Sequence, residues 1–479
     1  MTTLSLARTG LTLLAALSVA ACSVGPHDMS PHAALPPPGA PQRFAPATGP
    51  EQVTSTPQVA ANWWDAFGSS DLDALVDEAL RHATDIGIAD AALRQAREQA
   101  SAVAGATLPQ VDASYQVQRT RVSNALAPAV TDASQYLYTL HTAQVTVSYG
   151  LDLFGGTRAR IRSARAAAEV QRHRLEAARA AVAANIVQAV IQRASLADQI
   201  AAGEMSVSVN RDILANLLRR QQLGAVGAAD IATQQTALAA AEAALPGLVR
   251  AEAHQRVVIG TLLGRAAGTD LPSLPNLAAL TLPHDLPLAL PSDLVARRPD
   301  VRAAQAQLAG AGADVGVAIA ARLPAIQLSA TAGGAAQNLF DLFKDGNPFW
   351  TLVGGITQPI FHAGALRHQQ HAAEAALEGA KAQYRAAVLQ AFGDVSDALT
   401  GLRTDADALD AAARAGDASG RALGFVRRQL ALGDVGTLAL LNATAADAQA
   451  RAQLIQARAA RLSDTVALFQ AAGGGVVGN

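Results

Sequence analysis

The sequence predicts a mainly α-helical chain that also contributes strands to a transmembrane β-barrel, and that is built as two copies of one half. Three observations carry this reading. Landmarks of the first half recur in order in the second. Each half holds a very long stretch without proline, about 157–223 and about 365–432. Each half also holds two short segments in which apolar and polar residues alternate.

Composition narrows the function classes. The 479 residues carry a formal net charge of -2, which lacks the basic surplus of most nucleic-acid binders. Half the residues are apolar, yet only 4% are aromatic, an unusual balance for an enzyme with a deep pocket. Alanine, the best helix former, dominates. A single cysteine leaves no internal disulfide.

The chain opens on an export leader, 1–21, with Arg8 as its positive charge and Leu11–Ala20 as its apolar core. Val19-Ala20-Ala21 places small residues directly before Cys22, the only thiol. That arrangement suits cleavage before Cys22 and its alkylation by a diacylglycerol, which makes Cys22 the expected lipid attachment site. Ser23 follows, where an aspartate would disfavour outer-membrane sorting. No later segment offers the ~20 consecutive apolar residues of a spanning helix. Any crossing must then use strands in a closed barrel.

Residues 22–62, rich in proline and alanine, read as a lipidated, extended tether. The first structural repeat is expected at 63–275, with strands at about 110–121 and 142–152 and a long helix at about 157–223. The second is expected at 276–472, with strands at about 325–334 and 349–358 and a long helix at about 365–432, followed by a flexible tail at 473–479. The duplication rests on matched landmarks: Leu108-Pro109 with Leu323-Pro324, Leu153-Phe154 with Ile360-Phe361, Arg219-Arg220-Gln221 with Arg427-Arg428-Gln429, and Gly224–Gly227 with Gly433–Gly436. At a rise of ~1.5 Å per residue each long helix reaches roughly 100 Å, which implies a coiled-coil or tubular assembly. Returning helices are expected at about 228–264 and 437–472, and Pro246 should kink or interrupt the first.

In Val111–Gln118 the odd positions are apolar and the even ones polar. Val145, Val147, Tyr149 and Leu151 share one face of the next strand, and Gln144, Thr146, Ser148 and Asp152 the other. Ile326–Thr331 repeats the pattern, and Trp350–Thr357 follows it less cleanly. The same period fits half-buried strands of a soluble sheet; the export leader and the long flanking helices favour the barrel. Known membrane barrels start at about eight strands, so four cannot close one, and open edges in lipid would leave backbone groups unpaired. The chain must therefore oligomerise. A dimer supplies eight strands and a trimer twelve, and the wider barrel leaves room for a water channel.

The chain resembles the TolC-like outer-membrane factors of resistance-nodulation-division efflux systems, in their lipoprotein branch (OprM-like, NodT-type). The resemblance is carried by Cys22–Pro26, Trp63-Trp64 with Phe67, Leu72, Leu75 and Ala79-Leu80, Leu108-Pro109, the run Leu290–Asp300, and Gln358–Phe361 with Gly364. It implies a homotrimer with a twelve-stranded barrel and a long periplasmic α-helical tunnel. It also implies two protein partners, a periplasmic adaptor (membrane fusion) protein and an inner-membrane pump, besides outer-membrane lipid. By the same resemblance Val226, Gly227, Ala228, Val435, Gly436 and Thr437 are the adaptor-docking tips, and Arg220, Asp230, Arg428 and Asn442 border the periplasmic aperture. Asn442 stands where relatives often carry a carboxylate, which weakens the expectation of an acidic ring.

Other motifs receive plainer readings. Arg297-Arg298-Pro299-Asp300 suits a helix start, with Pro299 in the first turn and Asp300 near its positive end. His368, His371 and Glu374 are spaced as metal ligands on a helix, but three-residue steps drift around it and no fourth ligand is evident, so a solvated face is expected. No metal, cofactor, nucleic acid or catalytic residue is expected. The function implied is a passive exit duct for drugs or other small toxic solutes. One-step protein secretion is the alternative, and the lipoprotein leader and Arg-Arg-Pro-Asp run argue against it.

Overall fold

The computed structural model describes residues 52–56, 59–123, 137–287 and 297–474. The leader, Cys22, most of the tether, Leu290–Ala296 and residues 475–479 lie outside the described residues. In chain order the main elements are β1 (Val53–Thr56), α1 (Ser70–His82), α2 (Thr84–Gly105), β2 (Gln110–Arg121), β3 (Leu137–Leu151), α3 (Gly156–Gln222), α4 (Ala228–Leu262), β4 (Asp285–Pro287), α5 (Pro299–Ala320), β5 (Ala325–Ala336), β6 (Pro348–Thr357), α6 (Ala365–Leu432) and α7 (Thr437–Ala471). They form two compact units, and α3 and α6 contribute residues to both.

The first unit gathers the described residues of Leu93–Val170 and Ala304–Tyr384 around one antiparallel sheet of order β2-β3-β5-β6. Its central pairing joins the two repeats, with Val147 opposite Ala330 and Tyr149 opposite Leu328. All four strand-to-helix junctions lie at one end of the sheet, because α2 and α5 lead into β2 and β5 while β3 and β6 lead out towards α3 and α6. Asp152 closes one junction: its carboxylate accepts from the backbone N–H of Thr157 (3.1 Å) and of Arg158 (2.9 Å) at the start of α3. In the second repeat Gly364 turns the chain at φ +84°, a left-handed conformation that favours glycine. β3 starts at Leu137, well before the expected 142: its first residues pair with Arg121–Val117 of β2, in a stretch where Thr139 and His141 leave no apolar alternation to mark it.

The second unit holds the described residues of His32–Ala92, Gln171–Ala303 and Arg385–Asn479. Its core starts at Trp63, Trp64 and Phe67 and continues with Leu72, Leu75, Val76 and Ala79 of α1, which share one helix face. Ser69 caps α1 by accepting from the Leu72 N–H at 3.3 Å. Trp63 stacks on Phe469 of α7 with centroids 5.2 Å apart. Ile186, Val187, Val190 and Ile191 of α3 are fully buried as well.

Two features of this unit differ from expectation. β1 pairs in parallel with β4, and the fully buried Gln52 donates to the Pro283 carbonyl, so part of the stretch read as an extended tether belongs to the fold. Pro246 does not interrupt α4, which runs unbroken from Ala228 to Leu262. A proline inside a helix costs about 3 kcal/mol locally. Packing along a long partner offsets it; Leu245, its neighbour, lies where a side chain on Gly203 of α3 would be.

Candidate functional site

The sheet is a wall with two chemically distinct faces. On one face lie Val111, Tyr115 and Val117 of β2, Val145 and Val147 of β3, Leu328 and Ala330 of β5, and Trp350, Leu352 and Ile356 of β6. Most of these residues stay open to the surroundings: Trp350 is 78% exposed, Ile356 71% and Val111 66%, while Val147 and Ala330 in the middle of the sheet are half-buried. A soluble half-buried sheet would cover such a face, so the exposed apolar surface is that of a lipid-facing wall. The opposite face carries Asp112, Ser114, Gln116, Gln144, Thr146, Ser148, Gln327, Ser329 and Thr331. Among the described residues β2 and β6 each pair on one side only, so the wall has two open edges.

The helical hairpins end in two turns with matching backbones. After α3, Gly224 has φ +73°, and the Ala225 N–H donates to the Arg220 carbonyl at 2.9 Å. After α6, Gly433 has φ +83°, and the Asp434 N–H donates to the Gln429 carbonyl at 3.0 Å. Left-handed geometry therefore falls on Gly224 and Gly433. Gly227 and Gly436 are instead extended N-cap residues, at φ -89° and -85°, so the special backbone belongs to the first glycine of each motif and not the last. The Gly227 N–H donates to Asp230 Oδ2 at 3.2 Å, and the second turn has Ala439 in the corresponding place.

Of the tip residues read from sequence, Val226 and Val435 are half-buried, Gly227, Ala228 and Gly436 are exposed, and Thr437 is half-buried at the start of α7. Arg220, Asp230, Arg428 and Asn442 are all exposed. Among the described residues no hydrogen bond joins any two of these four; the Arg428 guanidinium instead lies 4.9 Å over the Phe425 ring. The sequence reading missed Leu223 and Leu432, which are 83% and 77% exposed just before the two turning glycines. Their signal was present, since both repeats place leucine immediately before the glycine.

The remaining candidates are structural. Arg298 donates to both Asp300 oxygens (3.1 and 2.8 Å), to Asp394 of α6 (2.7 Å) and to the Ala471 carbonyl of α7 (3.2 Å). Burial alone would lower its pKa, but Asp300 and Asp394 reverse that and hold the guanidinium charged. Arg298 thus ties the start of α5 to two other helices. His368 and His371 lie edge to face at 6.2 Å, Glu374 accepts from Gln370, and the described residues contain no metal-ligand cluster. One part of α3 is apolar enough to span a bilayer by composition, but over half of it is buried in the fold, as a core helix would be.

An open-edged amphipathic sheet joined to long helical hairpins defines an outer-membrane channel of the TolC-like kind. The structure superposes on the Campylobacter jejuni CmeC outer membrane channel with a TM-score of 0.85 over 95% of both chains at 22% identity. For the open state of the Neisseria gonorrhoeae MtrE outer membrane channel the TM-score is 0.82, covering 95% of this chain and 99% of that one at 25% identity. In sequence it is 30% identical over 437 residues to the pyoverdine export outer membrane protein OpmQ of Pseudomonas putida, covering 90% of this chain and 92% of that protein. It is also 30% identical over 407 residues to the toluene efflux pump outer membrane protein TtgI of the same species, covering 84% of each. The pattern of the family described as Outer membrane efflux protein matches residues 75–265 and 290–474, and the chain belongs to that family. It has the fold of the trimeric TolC-like channels and serves efflux across the outer membrane.

Proposed function

We propose that three copies of this chain close a twelve-stranded barrel, and that the assembly is a passive exit duct fed by a periplasmic adaptor and an inner-membrane pump. The observation that carries the proposal is the sheet: four strands, an apolar face open to the surroundings, and two unpaired edges. In lipid each edge needs a partner strand, and a neighbouring copy supplies one on each side. Relatives named for pyoverdine export and toluene efflux support small organic solutes as cargo. The two tips, with Val226, Gly227, Ala228, Val435, Gly436 and Thr437 beside exposed Leu223 and Leu432, are assigned to the adaptor. Conversion of Cys22 to a lipid-bearing first residue adds a second hold on the membrane; Cys22→Ser should abolish palmitate labelling, and equal label in both proteins would remove the anchor. The main experiment combines mass in detergent with planar-bilayer conductance. Three copies giving discrete current steps support the duct, whereas a monomer of full conductance overturns it.

A further inference from the structure

The lipid-facing side of the sheet is apolar on β5 and β6 along its whole length, with Ile326, Leu328, Ala330 and Ala332 beside Ile356, Leu352 and Trp350. On β2 and β3 it changes character at the end away from the helices. By the same register, Arg119, Arg121, Thr139 and His141 stand on that outward face. The Tyr115 hydroxyl and His141 Nδ1 hydrogen-bond each other at 2.8 Å just below. Both arginines are exposed, and β3 runs past its last pairing with β5 at His141, so the β2–β3 pair reaches further from the helices than the rest of the sheet.

From Gln110 to Arg119 a strand tilted about 40° climbs roughly 23 Å at about 3.3 Å per residue. That nearly spans the ~25 Å apolar band of a barrel, so the arginines lie at its outer edge. A cation facing lipid is costly at the midplane and nearly free there. The outer leaflet of an outer membrane presents phosphate-bearing glycolipid, whose charge complements two guanidinium groups. We propose that Arg119 and Arg121, floored by the Tyr115–His141 pair, bind the phosphates of an outer-leaflet lipid at the barrel wall. This rests on the sheet being an outer-membrane wall closed by neighbouring copies. The competing use of the arginines is an ion pair to the next subunit, whose β5–β6 loop carries Asp341 and Asp345.

The test is native mass spectrometry of the purified full-length protein titrated with bis-phosphorylated lipid A or with its phosphate-free counterpart, for wild type and for Arg119→Gln/Arg121→Gln. Wild type should prefer the phosphorylated lipid by about fivefold for each arginine. The double variant should lose that preference while keeping its subunit count and bilayer insertion. Millimolar inorganic phosphate should compete poorly, since only the lipid is held at the wall; full competition would mean that free phosphate suffices, and overturns the lipid assignment. Equal preference in wild type and variant also overturns it, as does loss of subunits in the variant, which would make the arginines subunit ties. Failure of wild type itself to insert would instead count against the barrel.

Discussion

The two helical hairpins, α3–α4 and α6–α7, share a backbone plan and differ in their electrostatics. Long arms of 67 and 68 residues are each followed by a return of 35, through turns with the same left-handed glycine. The first pair is tied by ion pairs between its arms: Arg193 reaches Glu252 at 3.0 Å, and Arg211 reaches Glu242 at 2.9 Å; Glu252 also accepts from Arg256 of its own helix at 2.7 Å. Gln234, fully buried, also donates to the Asn210 side chain at 3.0 Å. The second pair brings two carboxyls, Asp405 and Asp464, against each other near Arg461. Gly401 leaves room for Asp464, since a side chain there would collide with it. Duplication thus preserved the geometry of turn and packing while the polar contacts between the arms diverged.

The largest effect should come from what the hairpins share. Gly224→Val with Gly433→Val forces two β-branched residues into left-handed backbone, at about 1–2 kcal/mol or more each. Efflux should be abolished, with membrane insertion retained as the control. Gly227→Val with Gly436→Val is the sharper companion. Both positions are extended, and only the Asp230 carboxylate comes within 4 Å of a side chain built on either. The turns should survive, so any loss of adaptor cross-linking in that variant would report the contact itself. Full resistance and normal cross-linking in both double variants would reduce the tips to helix caps. Leu223→Asp with Leu432→Asp should come next, with weakened adaptor cross-linking at unchanged thermal stability, because both side chains are exposed.

The pH responses should separate the two hairpins. Burial pushes Asp464 above its ordinary 3.8, and the neighbouring Asp405 carboxyl adds to the rise. A raised carboxyl pKa means the folded state binds more protons, so stability falls as pH rises from 3.8 through the raised value. Asp464→Asn should therefore raise the melting temperature at pH 7 by a few degrees at most, and lose that advantage in acid. Glu252 behaves oppositely. Burial pushes it up, but Arg256 and Arg193 together hold it below its ordinary 4.5. Its contribution is present above 4.5 and lost as pH falls through the lowered value, so Glu252→Gln should cost about 1 kcal/mol at pH 7 and nothing in strong acid. Melting curves from pH 3 to 8 that shift in parallel for both variants would contradict this contrast.

The smallest effect distinguishes the caps. Asp230→Ala should cost the first turn about 0.5 kcal/mol, and Ala439→Asp should lend the second a similar amount, read by hydrogen exchange at each turn.

Much of this fold was legible from residue pattern. The absence of proline between Ala365 and Leu432 marks one helix, and the alternation Val111–Gln118 marks a strand whose faces the register then confirms. Features that depend on distant partners were not legible. β1 is four residues long and its partner β4 lies more than two hundred residues away, so no local period announces it. Pro246 obeys packing over propensity, and the early start of β3 was hidden because Thr139 and His141 break the apolar rhythm. At the tips, sequence located both turns, but glycine content alone does not say which glycine of each motif takes the left-handed backbone; the structure places it on Gly224 and Gly433.

The central claim is that β2 of one copy pairs with β6 of the next until three copies close a ring. Ser114 on β2 and Phe349, Thr351, Val353 and Gly355 on β6 all lie on the polar face. Ser114→Cys combined in turn with a cysteine at each β6 position, oxidised in membranes, tests the closure directly. The account predicts that at least one pair yields a ladder of monomer, dimer and trimer that stops at three. Monomer alone in every pair, or a ladder that continues past three, would contradict it.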